Sequence, residues 1–340
     1  MPVTVTAKQE RDLIVEVLTH HGAGADEAFV QADVLTEADL RGLHSHGVQR
    51  VPVLVERMKK QLIKVKAVPE MTWTAEAVMN VDGKDGFGTY IADQALHAAA
   101  PRAKQQGIVA VAIRNSGHIG MLGYYCEHMA EENLICIAFT SSEALVHPFG
   151  GAEPLVGSNP IAVSFPASPF PLMLDMATSV SAIGKILTQK HKGEPIPDDW
   201  AIDSEGSPTT DPDAALGGAL NPAGGPKGYG LGVAIGILAG LLPGGEIGKT
   251  VVGTLDVEYP CTKADLFLLL NPEVFGGGKT LSARVTAYRE ELRRSRPQKG
   301  FDRVMAPGDK ERELRAERME SGIPLSEEVW HATEQLRAGG

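Results

Sequence analysis

One histidine in this chain stands where an active site would present a proton carrier. His118 lies between two glycines in the stretch Arg114–Tyr125, shortly after the apolar run GIVAVAI that begins at Gly107. The apolar run predicts a buried strand, and residues Met121–Glu131 predict the helix that follows it. A histidine at a strand-to-helix turn can move a proton near neutral pH. It could equally satisfy backbone groups in the turn, and these residues alone favour neither interpretation.

A second cluster of chemically able residues contains His46 and Arg50. Val51-Pro52 follows it and predicts a helix, because proline is tolerated at the first helical position. A helix N-terminus offers unpaired N–H groups, and the planar fork of an arginine matches a carboxylate. We therefore predict an anion seat here. The alternative is an exposed loop that carries two histidines.

The same segment allows a metal site. His44 and His46 have the spacing of half a metal site, which His118 and Asp175 could complete in a metal-dependent hydrolase. Against this hypothesis, the residues ahead of His44 have the pattern of a polar helix rather than of an apolar strand.

A glycine-rich loop, residues Gly224–Gly230, carries Lys227 and continues into an apolar segment. Such a loop lets the backbone approach a phosphate or a flat ring, and the lysine adds a point charge. It is not a Walker motif, because no Ser or Thr follows the lysine. No complete G-x-G-x-x-G follows a predicted strand either, so a Rossmann site is unsupported. A nucleotide bound here would need another fold.

Local patterns predict the elements that position these groups. Thr6 and Gln9 form a plausible capping box for a helix that ends at Gly22, and a second helix runs from Asp26 to Leu40. The remaining predictions are a strand at about Met71–Asp82, a strand at Leu134–Phe139, an ordered loop at Gly193–Pro226 and a solvated helix at Asp309–Arg318. Alternating strands and helices indicate an α/β protein.

Composition narrows the class of protein. The chain has 340 residues, 43% of them hydrophobic, and this length favours two domains. Its formal charge of −11 argues against a surface that binds nucleic acid or an anionic membrane. Cys126, Cys136 and Cys261 lack metal spacing and fit free thiols in a reducing cytoplasm. The most apolar segment, Tyr229–Leu242, is shorter than the roughly 20 residues that span a bilayer, so we predict a buried helix. The N-terminus lacks a signal-peptide pattern.

Several motifs in a fixed order resemble the malate/L-lactate dehydrogenase family, which includes ureidoglycolate, sulfolactate and cyclic-imine enzymes. They cover nearly the whole chain: Asp39-x-Arg-Gly-x-x-Ser-His-Gly-x-x-Arg50, Asn115-Ser-Gly-His118, Pro148-Phe-Gly-Gly151, Gly157-Ser-Asn-Pro160, Leu174-Asp-Met-Ala-Thr-Ser179, Pro208-Thr-Thr-Asp-Pro212 and Pro226-Lys-Gly-Tyr-Gly230. The segments Cys261–Phe267 and Val304–Asp309 are similar to the sulfolactate/malate branch.

The resemblance implies a non-Rossmann α/β fold that binds NAD(P). It implies a cofactor domain, residues 119–254, inserted in a second domain built from residues 1–118 and 255–340. It also implies a homodimer. By the same resemblance, His118 is the proton-transfer residue, and His46 and Arg50 hold the substrate carboxylate. The positions that match cofactor contacts are Ser142, Asp175, Met176, Ala177, Lys227 and Asp265.

We therefore expect a cytoplasmic NAD(P)-dependent 2-hydroxy-acid dehydrogenase. The leading substrate pair is 3-sulfolactate/sulfopyruvate, followed by malate/oxaloacetate. Reduction of a cyclic imine such as Δ1-piperideine-2-carboxylate, oxidation of ureidoglycolate, and nucleotide binding without turnover stay open. The similarity to sulfolactate enzymes favours NADP over NAD.

Overall fold

The computed structural model describes residues 2–254 and 256–337, in which helices alternate with strands around a mixed β-sheet. The helices are α1 (Ala7–His20), α2 (Ala25–Leu40), α3 (Val51–Lys59), α4 (Gly88–Gln106), α5 (Leu122–Glu131), α6 (Ile183–Lys192), α7 (Pro212–Gly217), α8 (Pro226–Ile235), α9 (Gly278–Arg294), α10 (Asp309–Ser321) and α11 (Glu327–Arg337). The strands are β1 (Val3–Val5), β2 (Glu70–Ala75), β3 (Val78–Gly86), β4 (Ile108–Ser116), β5 (Ile135–Thr140), β6 (Ala144–Val146), β7 (Val156–Gly157), β8 (Ile161–Phe165), β9 (Leu172–Met176), β10 (Ala201–Ile202), β11 (Ala219–Leu220), β12 (Asp265–Leu270) and β13 (Ile323–Leu325).

The central sheet has seven strands in the order β2-β3-β4-β12-β5-β8-β9. β3 and β4 are parallel, and the other neighbouring strands pair antiparallel. The late strand β12 lies between β4 and β5, and its first residue, Asp265, pairs with Ile113 on one side and Thr140 on the other. The carboxyl ends of β4 and β5 therefore meet at the start of β12. The sheet crosses both predicted domain boundaries, and the division into domains stays a prediction.

Three hydrophobic clusters hold these elements. The largest joins α4 and α5 to the central sheet. A second packs α1, α2 and α3 with β13 and Trp330 of α11, and a smaller one lies around the short strands β6, β10 and β11. Together these clusters confirm the α/β class.

Local signals placed the first helices and the strands next to His118 correctly. Thr6 caps α1 in a capping box with Gln9, and Leu13, Ile14, Val17 and Leu18 face the core. α2, α5, β4 and β5 lie within a few residues of their predicted bounds. Pro52 stands in the first turn of α3, so the segment with His46 precedes a helix as predicted.

The single strand predicted at Met71–Asp82 is wrong. The chain forms a hairpin, in which β2 ends at Ala75 and β3 continues through Gly83 to Gly86. Gly83 does not end the strand because its Cα lies against β4, and a Cβ there would come 2.7 Å from the carbonyl oxygen of Asn115. This glycine permits a close approach of two backbones rather than a turn.

The prediction of a buried helix at Tyr229–Leu242 is also wrong. α8 ends at Ile235 and continues as a π-helical turn, Gly236–Leu241. Gly232, Gly236 and Gly240 are buried, whereas five large aliphatic side chains are 39–65% exposed: Leu231, Ile237, Leu238, Leu241 and Leu242. Over the described residues, no helix is long and apolar enough to cross a membrane.

The charge-dense helix α10 is not simply solvated, which corrects the sequence-based expectation. Arg315 binds the buried carboxylate of Glu37 at 2.7 Å, and Arg312 binds Glu127 of α5. Glu127 also binds Arg41 at 2.5 Å, and both of these side chains are buried. These ion pairs fasten the C-terminal helix to α2 and α5.

We expect Glu127→Ala to lower the free energy of unfolding by about 3 kcal/mol, because the variant leaves the buried guanidinium of Arg41 with one carboxylate fewer. Urea denaturation would measure the change. Lys8→Ala, which breaks the exposed pair with Asp12, is the control and should change stability little. Equal effects of the two variants would contradict the prediction.

Candidate active site

The edge of the central sheet where β4 and β5 end brings the predicted site residues together. His118 follows β4, Ser142 follows β5, and Lys263 precedes β12, which lies between those strands. α4 begins against the His118 turn, and a Cβ at Gly88 would lie 2.0 Å from the carbonyl oxygen of Gly117. The turn is therefore fixed by close packing of backbone.

The imidazole of His118 is held in one orientation. Its Nδ1 accepts a hydrogen bond from the N–H of Gly120 at 3.0 Å, so in the neutral ring the proton is assigned to Nε2. Desolvation, and then the positive charge of Arg50, hold the pKa of His118 well below its usual range. Part of the side chain is still accessible to water. The ring is therefore a neutral group that is only partly exposed.

His46 lies beside His118, with 5.4 Å between the two ring centroids. The hydroxyl of Ser45 is 3.0 Å from its Nδ1. Burial, followed by the charge of Arg50, lowers the pKa of His46 to about 3. Two neutral imidazoles thus face one guanidinium.

Arg50 is the positively charged residue beside these two histidines, and part of its guanidinium is already hydrogen-bonded to the protein. Its Nε donates to the carbonyl oxygen of Ser45 at 2.8 Å, and Nη1 donates to that of Thr254 at 3.2 Å. Glu143 accepts from the hydroxyl of Thr254 at 2.6 Å and tends to raise the pKa of Arg50. Desolvation outweighs it and lowers that pKa to about 10. These two bonds use two of the five N–H groups of the guanidinium, and the others, on Nη2 and Nη1, are available to an anion.

Asp175 lines a second, adjoining part of the surface. One carboxylate oxygen accepts the N–H of Gly123 in the first turn of α5 at 2.7 Å. Desolvation raises the pKa of Asp175 to about 6, against the effect of that hydrogen bond. The carboxylate borders a cavity of about 200 Å³, lined also by Met173, Pro307 and Gly308.

The other predicted cofactor positions are distributed around the loop Gly157–Asn159. The hydroxyl of Ser142 is 3.1 Å from that of Ser158, and Asn159 accepts from the backbone N–H of Ser142. Asn159 also donates to Gly232 of α8, the helix whose first turn carries the exposed Lys227. Met176 ends β9 with its side chain exposed, and Ala177 follows it.

Asp265 is placed differently from the prediction. It is fully buried, and both of its oxygens accept from the ammonium of Lys263, at 2.7 and 2.6 Å. A cofactor cannot touch a carboxylate with no accessible surface, so the predicted contact is not the arrangement in this structure. Its negative charge instead balances Lys263, whose positive charge helps to hold the pKa of His118 down.

The four residues of the alternative metal site do not converge. The Nδ1 of His44 binds Asp39 and its Nε2 lies 3.3 Å from a nitrogen of Arg318, whereas Asp175 is bound to the start of α5. Over residues 2–254 and 256–337, no three His, Cys, Asp or Glu side chains form a group that could hold a metal ion.

Comparison with known proteins shows which family this chain belongs to. Residues 5–334 match the family model described as malate/L-lactate dehydrogenase. The chain belongs to the malate/L-lactate dehydrogenase family. It is an oxidoreductase, as its curated relatives are named dehydrogenases.

Three similar proteins illustrate the range of this dehydrogenase family. The malate/(S)-sulfolactate dehydrogenase of Methanothermus fervidus is 37% identical over 96% of this chain and 94% of its own length. The (2R)-3-sulfolactate dehydrogenase (NADP(+)) of Chromohalobacter salexigens is 34% identical, covering 98% and 97%. The crystal structure of a dehydrogenase from Sinorhizobium meliloti superposes with a TM-score of 0.94 at 41% identity, covering 99% of this chain and 98% of that one.

Sequence reasoning missed three groups near the site of this dehydrogenase. Lys263 helps to lower the pKa of His118, Glu143 tends to raise that of Arg50, and Thr254 connects Glu143 to Arg50. Lys263 and Asp265 did leave a signal, because opposite charges two residues apart ahead of an apolar strand fall on one side of the chain. Glu143 and Thr254 left none, since they are 111 residues apart.

We expect His118 and His46 both to be neutral at pH 6 in the free protein. Burial disfavours the charged rings, and the guanidinium of Arg50 repels a second positive charge. An NMR titration of the imidazole carbon-bound protons would show this, with assignments from His118→Asn and His46→Asn. A midpoint above pH 6.5 for either ring would contradict the expectation.

Proposed function

We propose that this dehydrogenase interconverts a small anionic 2-hydroxy acid and its 2-oxo acid with a nicotinamide dinucleotide. The leading pair is 3-sulfolactate and sulfopyruvate, followed by malate and oxaloacetate, in line with the names of the relatives. The observation that carries the proposal is a neutral His118, 5.4 Å from His46 between ring centroids, together with the nearby guanidinium of Arg50, whose charge acts on both rings. Such a pair can hold a carboxylate and exchange a proton two atoms away from it.

The cofactor surface fits a dinucleotide. Asp175 keeps one carboxylate oxygen free of the bond to Gly123 and borders a cavity, as a partner for sugar hydroxyls would. The exposed Lys227 follows Gly225, a residue with φ +64°, on a loop that can approach a phosphate. We propose that Ser142, Asp175, Met176, Ala177 and Lys227 hold the cofactor. When bound, the nicotinamide supplies or accepts the hydride at C2.

Arg50 and His46 orient the substrate in this proposal. The outer edge of the Arg50 fork would accept the carboxylate, while its Nε and Nη1 bonds to Ser45 and Thr254 keep the fork from turning. An anion at this position also offsets the charge that keeps His118 and His46 neutral.

His118 handles the proton. In reduction the ring first takes up a proton from solvent, and the resulting imidazolium passes its Nε2 proton to the 2-oxo oxygen as negative charge develops there, which leaves a neutral ring. In oxidation the ring must present a bare Nε2, which requires the tautomer that gives up the bond from Gly120. Both directions therefore use a ring protonated on Nδ1, which cannot accept the N–H of Gly120.

Several finer features belong to the same proposal. The mixed, mainly antiparallel sheet supports cofactor binding by a fold other than the Rossmann fold, and we keep residues 119–254 as the inserted cofactor domain within residues 1–118 and 255–340. The five exposed aliphatic side chains around the π-helical turn support a homodimer, since they would be covered by a second copy. Three buried free thiols fit a reducing cytoplasm.

A substrate panel tests the function. Sulfopyruvate, oxaloacetate, pyruvate, Δ1-piperideine-2-carboxylate and ureidoglycolate would each be assayed with both NAD(H) and NADP(H). We expect the highest kcat/KM with sulfopyruvate, and this ranking also gives the cofactor preference. Highest turnover of the cyclic imine or of ureidoglycolate would replace the proposed substrate within the family. Nucleotide binding with no turnover at all would overturn the enzymatic proposal.

His118→Asn should lower kcat by roughly 10² to 10⁴, the usual contribution of a positioned acid–base group. Asparagine cannot exchange a proton, but it fills similar space, so cofactor dissociation constants should change little. Steady-state kinetics and fluorescence titration of the reduced cofactor would measure the two effects. A variant within a few-fold of the parent would remove His118 from the mechanism.

Arg50→Lys should lower kcat/KM roughly ten- to a hundred-fold with every 2-oxo acid, because lysine keeps the charge but loses the fork. It also loses the bonds to Ser45 and Thr254 that aim the fork. Cofactor dissociation constants should be unaltered. Weaker cofactor binding with intact substrate kinetics would assign Arg50 to a cofactor phosphate instead.

A further inference from the structure

The turn that carries His46 closes around one buried carboxylate. Asp39, in the last turn of α2, is 1% exposed. One oxygen accepts the backbone N–H of Val48 at 2.6 Å, and the other lies 2.5 Å from Nδ1 of His44. These two contacts bracket the residues between them, so Asp39 fixes both ends of the turn.

Gly47 shows how tightly the turn fits on this carboxylate. A Cβ at Gly47 would lie 1.9 to 2.3 Å from the three terminal atoms of the Asp39 side chain, a contact no side chain can make. The glycine has φ −97°, so it is required by the close approach and not by its own backbone conformation. A small movement of Asp39 would therefore move the turn.

Arg318 of α10 binds the backbone of Asp39 and approaches the ring of His44. It donates to the backbone carbonyl oxygen of Asp39, and its Nη1 lies 3.3 Å from Nε2 of His44. One tautomer of His44 satisfies both partners, with Nδ1–H donating to Asp39 and Nε2 accepting from Arg318. Both ring nitrogens of His44 are thereby used in holding the turn.

Glu10 of α1 is a second buried acid next to Asp39. It is fully buried, and among the described residues neither of its oxygens has a partner other than the neighbouring Asp39. Burial, followed by the charge of Asp39, raises the pKa of Glu10 to about 11. Two adjacent buried carboxyl groups cannot both be charged. Asp39 accepts the N–H of Val48 and contacts His44, whereas no N–H group of the described residues reaches Glu10, so Glu10 is the neutral acid of the pair.

We propose that Asp39 is the positioning residue of the substrate seat and that Glu10, as a neutral hydrogen-bond donor, keeps Asp39 in place. The inference rests on the proposed function, because the turn matters through His46 and Arg50. Arg50 Nε donates to the carbonyl oxygen of Ser45, inside the turn, so the direction of the guanidinium fork follows the turn. Asp39 acts through these residues and touches no substrate.

Asp39→Asn is the first test. An amide in this position puts an N–H group opposite the N–H of Val48 or of His44, so the turn has to shift. We expect the KM for the preferred 2-oxo acid to rise at least about tenfold, the effect of one lost charge-assisted hydrogen bond, while cofactor dissociation constants stay within about threefold. Hydrogen exchange of the Val48 amide should accelerate by a similar factor.

Two variants of Glu10 test the neutral donor. Glu10→Gln keeps a neutral donor of the same shape, and we expect KM and the Val48 exchange rate within about threefold of the parent. Glu10→Leu removes the donor and should change both quantities in the direction of Asp39→Asn. If Glu10 were charged, Glu10→Gln would have the larger effect, because it would remove a charge. Glu10→Leu would then relieve the repulsion between Glu10 and Asp39.

Glu27→Gln is the matched control, since Glu27 is another buried acid of α2 and accepts two backbone N–H groups, from Gly24 and Lys66, outside the turn. It should leave KM and Val48 exchange unchanged even where it lowers stability. Equal increases in KM for Glu27→Gln and Asp39→Asn would overturn the positioning role. So would faster Val48 exchange in Asp39→Asn without a change in KM. Hydrogen exchange reports on the turn even if the parent turns over no 2-oxo acid, which separates this proposal from the proposed function.

Discussion

The site depends on the insertion of β12 between β4 and β5. Both neighbours run antiparallel to it, so their carboxyl ends lie side by side at its first residue. His118 and Ser142 follow those two ends, and Lys263 precedes that residue. A sheet in which β4 paired directly with β5 would have no place for the buried pair of Lys263 and Asp265. One strand pairing thus brings together residues from three distant parts of the chain.

Charge burial sets the chemistry of that edge. Desolvation lowers the pKa of the Arg50 guanidinium. Two backbone carbonyl oxygens bind it, and the charge of Glu143, which binds Thr254, partly offsets the desolvation. The two imidazoles stay neutral as a consequence. A site with one fixed positive charge and neutral proton-carrying rings is incomplete until an anion binds, which gives a physical reason for a dehydrogenase of acids rather than of neutral alcohols.

The N- and C-terminal parts of the chain support the site together. α10 binds Glu37 and Glu127 through its arginines and reaches the His44 turn through Arg318. Its first residues follow Pro307 and Gly308, which line the cavity beside Asp175. The helix therefore contacts both halves of the proposed site, the substrate seat and the cofactor surface, and the buried carboxylates that it neutralises lie on α2 and α5.

The sequence by itself determined the features that depend on neighbours in the chain. The capping box of Thr6, the apolar strand before His118 and the helix after Pro52 are local signals, and motif resemblance was enough to give the family. Only the tertiary structure decided that Asp265 is buried against Lys263 and that His44 turns to Asp39 and Arg318. It also decided that most of the large aliphatic side chains of the apolar segment Tyr229–Leu242 are exposed. Burial and polar contacts at these positions depend on residues that are distant in the chain: His44 and Arg318, for example, are 274 residues apart. No local sequence pattern encodes such contacts.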